Sequence, residues 1–231
     1  VLYQLQIFKA ISAGAFYDRL NAIPWETGND EMERLALEEC AKRQRIDHSV
    51  SVLILPADQC DLAFRFAQLG AVVTVADAPE KQQEIEGRIL AAGLADMVSF
   101  QACTLPEPPT PGNPGRYDII VLRRGLCFQS YQKSKPTIRR LMQQLRIGGK
   151  LFLSILGLHS ELGDDYPGRE QSIYERFAPL TEDVAKKYGI SAPVCLYSER
   201  DVFLLLLESG ASVLRTLTTT WGNVKAIAVR V

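Results

Sequence analysis

Two adjacent arginines, Arg123 and Arg124, follow an apolar run that extends from Tyr117 to Leu122. Such a run is typical of a buried parallel strand, so both cations are predicted at the carboxyl end of that strand, where α/β sheets bind ligands. Two guanidinium groups in that place can bind a carboxylate or a phosphate bidentately. The alternative is structural, because either arginine can pair with an acid across the end of the sheet. The candidate partner acids are Asp58, Asp61 and Asp77.

A histidine in a later loop is the other residue whose type suits chemistry. His159 follows a predicted strand from Leu151 to Leu156, and its imidazole can act as a general base. The alternative is a solvent-exposed loop histidine without a chemical role. The catalytic candidates from residue type alone are therefore His159 and Arg124.

The unit that positions these residues lies early in the chain. The run Val52 to Leu55 has no polar alternation, which favours an interior parallel strand covered on both faces. Asp61 is predicted to cap the following helix, and a second strand from Val72 to Ala76 leads to Asp77. Because the unit is βαβ, its crossover is expected to be right-handed, with any ligand at the carboxyl ends of the strands.

The remaining elements are predicted from periodicity, turn residues and cap residues. The predicted helices are Leu2–Leu20, one capped by Asn29 or Asp30, Pro79–Ala92, Lys135–Arg146, Glu182–Tyr188 and one capped by Ser198 with Asp201; the predicted strands are Met97–Ala102, Tyr117–Leu122 and Leu151–Leu156, and an antiparallel hairpin combines Ala211–Thr219 with Val224–Val231. Residues 105–115 are rich in proline and are predicted to form a loop. Since no linker or repeat divides the chain, residues 1–231 are predicted to form one domain, with N-terminal helices over 1–47 and a core over 48–231.

This order of elements resembles the class I S-adenosylmethionine (SAM) dependent methyltransferases. The resemblance is carried by Leu69-Gly70-Ala71 before the strand that ends at Asp77, by Tyr117-Asp118, and by the turn Gly148-Gly149. Pro24-Trp25-Glu26 also resembles the N-terminal lid of small-molecule methyltransferases. The resemblance implies an α/β, three-layer Rossmann-like methyltransferase fold. Its mostly parallel sheet would have seven strands in the order 3-2-1-4-5-7-6, with the last strand antiparallel and an N-terminal helical lid.

Carried over position by position, the resemblance implies a SAM site at the carboxyl edge of the sheet. Asp77 would hold the ribose hydroxyls, while Arg124 and His159 would face the methyl acceptor. Trp25 would help to enclose the cofactor, or alternatively would anchor the N-terminal helices on the sheet edge. The residues implied in cofactor contact are Leu55, Pro56, Ala57, Asp58, Asp77, Ala78, Cys103, Thr104, Arg123 and Trp25.

The loop after the first strand departs from the family pattern. The family has an acid where Ile54 stands, and glycines at or near Pro56, Asp58 and Cys60. Pro56 removes an amide donor, Asp58 brings negative charge toward the cofactor carboxylate, and Cys60 adds bulk. Two functions are therefore predicted: a SAM-dependent methyltransferase with a small-molecule acceptor, or a catalytically inactive binding or scaffolding module that has lost SAM.

Composition limits the partners that we expect. The net charge is −1 over 231 residues, so no overall field recruits nucleic acid or an anionic membrane. No apolar stretch reaches the ~20 residues of a membrane span. The chain has five cysteines without a C-x-x-C pair, which predicts no metal site and indicates reduced thiols in a cytoplasmic setting. The expected partner is a small-molecule acceptor or another protein.

Overall fold

The computed structural model describes residues 30–46, 49–103, 105 and 116–231. Within these residues, seven strands form one sheet in the order β3-β2-β1-β4-β5-β7-β6. The strands are β1 Ser51–Leu55, β2 Val72–Asp77, β3 Val98–Ala102, β4 Tyr117–Arg123, β5 Leu145–Ile155, β6 Ser212–Thr218 and β7 Val224–Val229. β7 runs antiparallel to both of its neighbours, and the other ladders are parallel. The predicted sheet order and the predicted terminal hairpin are confirmed.

Helices cover both faces of this sheet. They are α1 Glu31–Gln44, α2 Asp61–Gln68, α3 Gln82–Ala91, α4 Tyr131–Gln144, α5 Glu182–Tyr188 and α6 Glu199–Glu208. One core contains the buried residues of α1, α2 and α3 with Val52 and Ile54, whereas the other contains those of α4 and α6 with Leu53 and Leu55. Alternate side chains of β1 therefore enter opposite cores, which explains why its sequence is apolar throughout.

Helix ends follow local chemistry in most places. The side chain of Asp30 accepts a hydrogen bond from the Met32 amide (2.7 Å) and caps α1 as predicted. Ser198 and Asp201 form a reciprocal capping box at α6, which is also confirmed. The cap predicted for α2 is wrong by one residue. α2 begins at Asp61 itself, and its N-cap is Cys60 in a left-handed conformation without a side-chain cap.

Two element boundaries also differ from the prediction. α4 begins at Tyr131 rather than at Lys135, although this places Pro136 inside the helix. The earlier start buries Tyr131, Ser134 and Ile138 on one face, so tertiary packing outweighs the disruption by proline. β5 begins at Leu145, before the predicted turn, because Leu145 pairs with Tyr117 of β4. The predicted helix Leu2–Leu20 and residues 106–115 of the proline-rich loop lie outside the described residues.

Candidate functional site

The loop between β1 and α2 has an unusual backbone for its residue types. The Leu55–Pro56 peptide bond is cis, and both Asp58 (φ 55°) and Cys60 (φ 67°) are left-handed. The Cys60 amide donates to the Ala57 carbonyl (3.1 Å), which closes the loop into a tight turn. Non-glycine residues seldom have a left-handed backbone, so contacts with surrounding residues must hold Asp58 and Cys60 in place.

Asp77 supplies the first of these contacts. Its Oδ2 accepts a hydrogen bond from the Ala57 amide (3.2 Å), and its Oδ1 accepts one from the Ala78 amide (2.8 Å). Lys81 Nζ lies 3.9 Å from Oδ2, and Asp77 as a whole is 4% exposed. Burial raises the pKa of the Asp77 carboxyl, although Lys81 and the backbone amides of Ala78, Asp58 and Ala57 oppose this effect. The carboxylate is therefore bound by the chain itself.

Arg123 supplies the second contact to the loop. Its Nη2 lies 3.1 Å from Asp58 Oδ2, and its Nη1 donates to Glu33 Oε1 of α1 (2.8 Å). The three side chains are only 13–19% exposed, so this bridge is largely shielded from water. Arg88 of α3 also donates to the Asp58 carbonyl (3.3 Å). Of the acids predicted to pair with the arginines, Asp58 is thus the one that pairs with Arg123. The partner on α1, Glu33, was missed by sequence reasoning.

Arg124 makes two backbone hydrogen bonds at the carboxyl end of β4. It is left-handed (φ 57°), its amide donates to the Ser154 carbonyl (2.7 Å), and its carbonyl accepts from the Cys127 amide (3.1 Å). It opens the short 3₁₀ turn Gly125–Phe128. A Cβ at Gly125 would lie 2.3 Å from a side-chain carbon of Leu105, so Leu105 packs directly against the turn that follows the carboxyl end of β4.

The other predicted cofactor residues lie close to this group. Leu55, Ala57 and Ala78 are at most 4% exposed, and Pro56 is also buried. The Cys103 amide donates to the Asp77 carbonyl (2.8 Å), so Cys103 adjoins Asp77. Burial raises the pKa of the Cys60 thiol to about 11 and that of Cys103 to about 12. Both thiols are therefore protonated at neutral pH and are not nucleophiles. Thr104 and Trp25 lie outside the described residues.

His159 occupies the loop after β5, and its side chain is exposed. The loop backbone is packed tightly, because a Cβ at Gly222 would lie 2.1 Å from the His159 carbonyl oxygen. Neighbouring Glu161 binds Lys187 and Tyr188 of α5. In the part of the chain that the structure describes, no cluster of three or more His, Cys, Asp or Glu residues is placed to hold a metal ion.

The polar side chains at the carboxyl edge are already engaged with other parts of the chain. The acid that would receive ribose hydroxyls is buried, and each of its oxygens already accepts a backbone hydrogen bond. The Asp58 carboxylate and the Arg123 guanidinium neutralise each other at the loop, and Leu105 fills the space against Gly125. A ligand would have to reach this buried acid beside the Ala57 and Ala78 amides, and the transfer of its own polar groups out of water would oppose binding.

Comparison with known proteins identifies the fold. No protein-family profile matches the sequence. No curated protein matches it either. Solved structures do match. A SAM-dependent methyltransferase from Mesorhizobium loti has a TM-score of 0.62 at 14% identity, with 84% of this chain and 100% of that one covered. One from Methanosarcina mazei has a TM-score of 0.61 at 16% identity, with 82% and 96% covered.

A third match, the SAM-dependent methyltransferase SibL in its apo form, has a TM-score of 0.56 at 17% identity. The match covers 93% of this chain but only 62% of SibL. The chain therefore has the Rossmann-like fold of class I SAM-dependent methyltransferases. The [4+2]-cyclase SpnF shares this fold as well, with a TM-score of 0.59 at 14% identity over 86% of this chain and 80% of SpnF. Chemistry must accordingly be argued from the site and not from the fold.

Among the described residues, no helix is both long enough and apolar enough to cross a membrane.

Proposed function

We propose that this protein is a non-catalytic methyltransferase-fold module that binds or scaffolds a partner and does not hold SAM. The single observation that carries this proposal is the environment of Asp77. Both of its carboxylate oxygens accept backbone hydrogen bonds, and 4% of the residue is exposed. A carboxylate in this state has exchanged water for protein donors, and its burial leaves an external hydroxyl little access to its remaining lone pairs.

The ion pair between Asp58 and Arg123 supports the same proposal. In the family pattern the loop at Asp58 is glycine-rich and presents amides to the cofactor, whereas here it presents a carboxylate that Arg123 neutralises. Pro56 contributes no amide, and Cys60 is buried at the start of α2. The loop is thus stabilised by side chains that the family pattern lacks.

Calorimetric titration with SAM and with S-adenosylhomocysteine tests the proposal. We expect no heat of binding for the natural protein at millimolar ligand. The combined variant Pro56→Gly, Asp58→Gly and Cys60→Gly is expected to gain measurable binding, because glycines restore amide donors and tolerate left-handed backbone. Micromolar binding by the natural protein that disappears in Asp77→Ala would overturn the proposal.

A second candidate function is SAM-dependent methylation of a small molecule. It is favoured by one specific feature, namely that Asp77 stands at the carboxyl end of β2 directly beside the loop after β1. One structural neighbour was solved as PigF with SAH, at 12% identity and a TM-score of 0.57. For this function the ribose hydroxyls would have to reach the buried Asp77 carboxylate beside the hydrogen bonds from Ala57 and Ala78. The same titration distinguishes the two candidates.

A further inference from the structure

The end of the sheet opposite the candidate site carries a cluster of cations. The C-terminal end of α1, the first residues of β5 and the end of β7 meet there. Arg43 Nη2 donates to the Gly148 carbonyl (2.5 Å), and the Gly148 amide donates to the Arg230 carbonyl (2.8 Å). We call this surface the basic end and define it by its members Arg43, Arg45, Ile46, Arg146, Ile147, Lys150 and Arg230.

Within the described residues, two carboxylates contact the cations of the basic end. Glu39 pairs with Arg43 (2.8 Å) and Lys150 (2.7 Å), while Asp118 pairs with Arg146 (2.9 Å). Both acids are nearly buried, at 11% and 3% exposure of their side chains, and each is shared between cations. Among the described residues, the basic end thus has five cations and two carboxylates that contact them, although the whole chain has a net charge of −1.

The remaining cations of the basic end are not neutralised by these acids. The guanidinium of Arg230 donates to the carbonyls of Gln143 (2.7 Å) and Leu145, which are uncharged. Arg45 is exposed just beyond α1. A guanidinium held by carbonyls keeps its full charge and can attract an anion from solution.

Two aliphatic side chains project from the same surface. Ile46 is 70% exposed and Ile147 is 81% exposed, and each directly follows an arginine, Arg45 or Arg146. Ile147 precedes Gly148, whose left-handed backbone (φ 76°) turns the chain sharply. A single exposed isoleucine is ordinary, but two that alternate with cations make an amphipathic surface.

We propose that the basic end binds the surface of an anionic phospholipid membrane. Arginines suit phosphate headgroups geometrically, each cation contributes about 1 kcal/mol near an anionic bilayer, and exposed aliphatic side chains enter the boundary of the acyl region. Proteins that bind single-stranded nucleic acids stack aromatic side chains on the bases, whereas the exposed apolar members of the basic end are isoleucines. A nucleic acid therefore suits this surface less well. The proposal departs from the expectation drawn from net charge, because a sum over the chain hides separated charges.

Vesicle sedimentation tests this binding with the full chain. Vesicles of four parts phosphatidylcholine to one part phosphatidylglycerol are expected to sediment the protein at low salt, whereas pure phosphatidylcholine vesicles are not. Arg45→Glu and Ile147→Asp are each expected to weaken binding about tenfold or more. Neither side chain is buried, so both variants are expected to fold normally, which circular dichroism checks.

Matched controls carry the same substitutions elsewhere. Leu90→Asp changes a side chain that is 72% exposed on α3, which packs on β3, three strands away from β4. Arg200→Glu reverses an exposed charge in the first turn of α6. Both controls are expected to bind as the natural protein does. Equal binding to the two vesicle types, no binding to either, or equal loss in controls and test variants would overturn the proposal. So would binding to a labelled DNA duplex, lost in Arg45→Glu, without vesicle binding.

Discussion

At the scale of single residues, Asp77 and Arg123 share one task, which is to hold the loop after β1. Asp77 accepts a hydrogen bond from the Ala57 amide of the loop. Arg123 binds the Asp58 side chain and connects it to Glu33 on α1. A left-handed aspartate is costly by itself, so its persistence depends on these contacts. The conformation of the loop is thus held by contacts from three other elements, β2, β4 and α1.

The Asp58–Arg123 pair is expected to contribute measurably to stability. A double-mutant cycle with Asp58→Asn and Arg123→Met should give a coupling free energy of about 1–3 kcal/mol, because both side chains are shielded from water. Asparagine tolerates the left-handed backbone, so the substitution isolates charge. Urea denaturation measures the cycle. The exposed pair Arg34–Glu38 is the control, and a coupling there as large as at Asp58–Arg123 would contradict a special role for the loop pair.

Glu39 is expected to make stability depend on acid pH. Burial opposes ionisation of its carboxyl, but hydrogen bonds from Lys150 and Arg43 outweigh burial and lower its pKa. A carboxyl whose pKa is lower in the folded state stabilises the fold at pH values above its unfolded pKa of ~4.3. This contribution is lost as the pH falls through the folded-state pKa. Glu39→Gln should therefore cost about 2 kcal/mol at neutral pH and nothing in strong acid.

Urea denaturation as a function of pH checks this expectation. Glu38→Gln is the matched control, since Glu38 is adjacent on α1 but its side chain is 56% exposed. A cost for Glu39→Gln that stays constant from neutral to acid pH would show that the lowered pKa is not the cause.

The sequence indicates the residues at strand ends more readily than their partners. Asp77 and Arg123 follow apolar runs, so their positions at the carboxyl edge were predictable. Glu33 lies 90 residues from Arg123, and nothing local to either residue signals that they meet. An acid in the first turn of a helix ordinarily reads as favourable for the helix dipole, which conceals its tertiary contact. The exposed loop position of His159 agrees with one of the two alternatives that the sequence left open.

At the scale of elements, close backbone contacts seat the β6–β7 turn on the loop after β5. A Cβ at Gly157 would lie 1.7 Å from the carbonyl oxygen of Gly222 in the β6–β7 turn. Within the loop after β5 itself, a Cβ at Gly163 would lie 1.9 Å from the Leu158 carbonyl oxygen. The Gly157 amide also donates to the Asn223 side chain (3.2 Å). Two chain segments therefore meet without side chains between them, and glycine is required at the contact.

Alanine at Gly157 is expected to destabilise the fold by about 3 kcal/mol, because a methyl group there forces the backbones apart. The matched control is Gly87→Ala in α3, where a Cβ would meet nothing within 4 Å. That control should stabilise by about 0.5–1 kcal/mol through helix propensity. Urea denaturation compares the two, and a cost below about 0.5 kcal/mol at Gly157 would disprove the close contact.

Element type was predicted better than element boundaries. α5 begins and ends where its sequence predicts, and α6 has its capping box, because both signals are local. The start of α4 was predicted too late, since Pro136 is a natural first-turn residue and the burial of Tyr131 is a tertiary property. The early start of β5 likewise depends on pairing with β4 and not on residue type.

At the scale of the whole molecule, the two ends of the sheet differ in character. At the carboxyl end, Asp58 and Glu33 both pair with Arg123, so these charges neutralise one another within the chain. At the amino end, the described residues include more cations than carboxylates that contact them. We therefore expect the fold to present its interaction surface away from the site that its structural neighbours would suggest. Overall net charge gave no indication of this separation, because opposite contributions cancel in the sum.

The closed state of the carboxyl edge can be measured at the residues that close it. In ¹⁵N-labelled protein, the amide resonances of Ala57, Asp58 and Ala78 report on the hydrogen bonds to Asp77. Addition of S-adenosylhomocysteine in large excess is expected to leave these three resonances unshifted. Saturable shifts at all three amides, with loss of the effect in Asp77→Ala, would show instead that a nucleoside takes over the carboxylate.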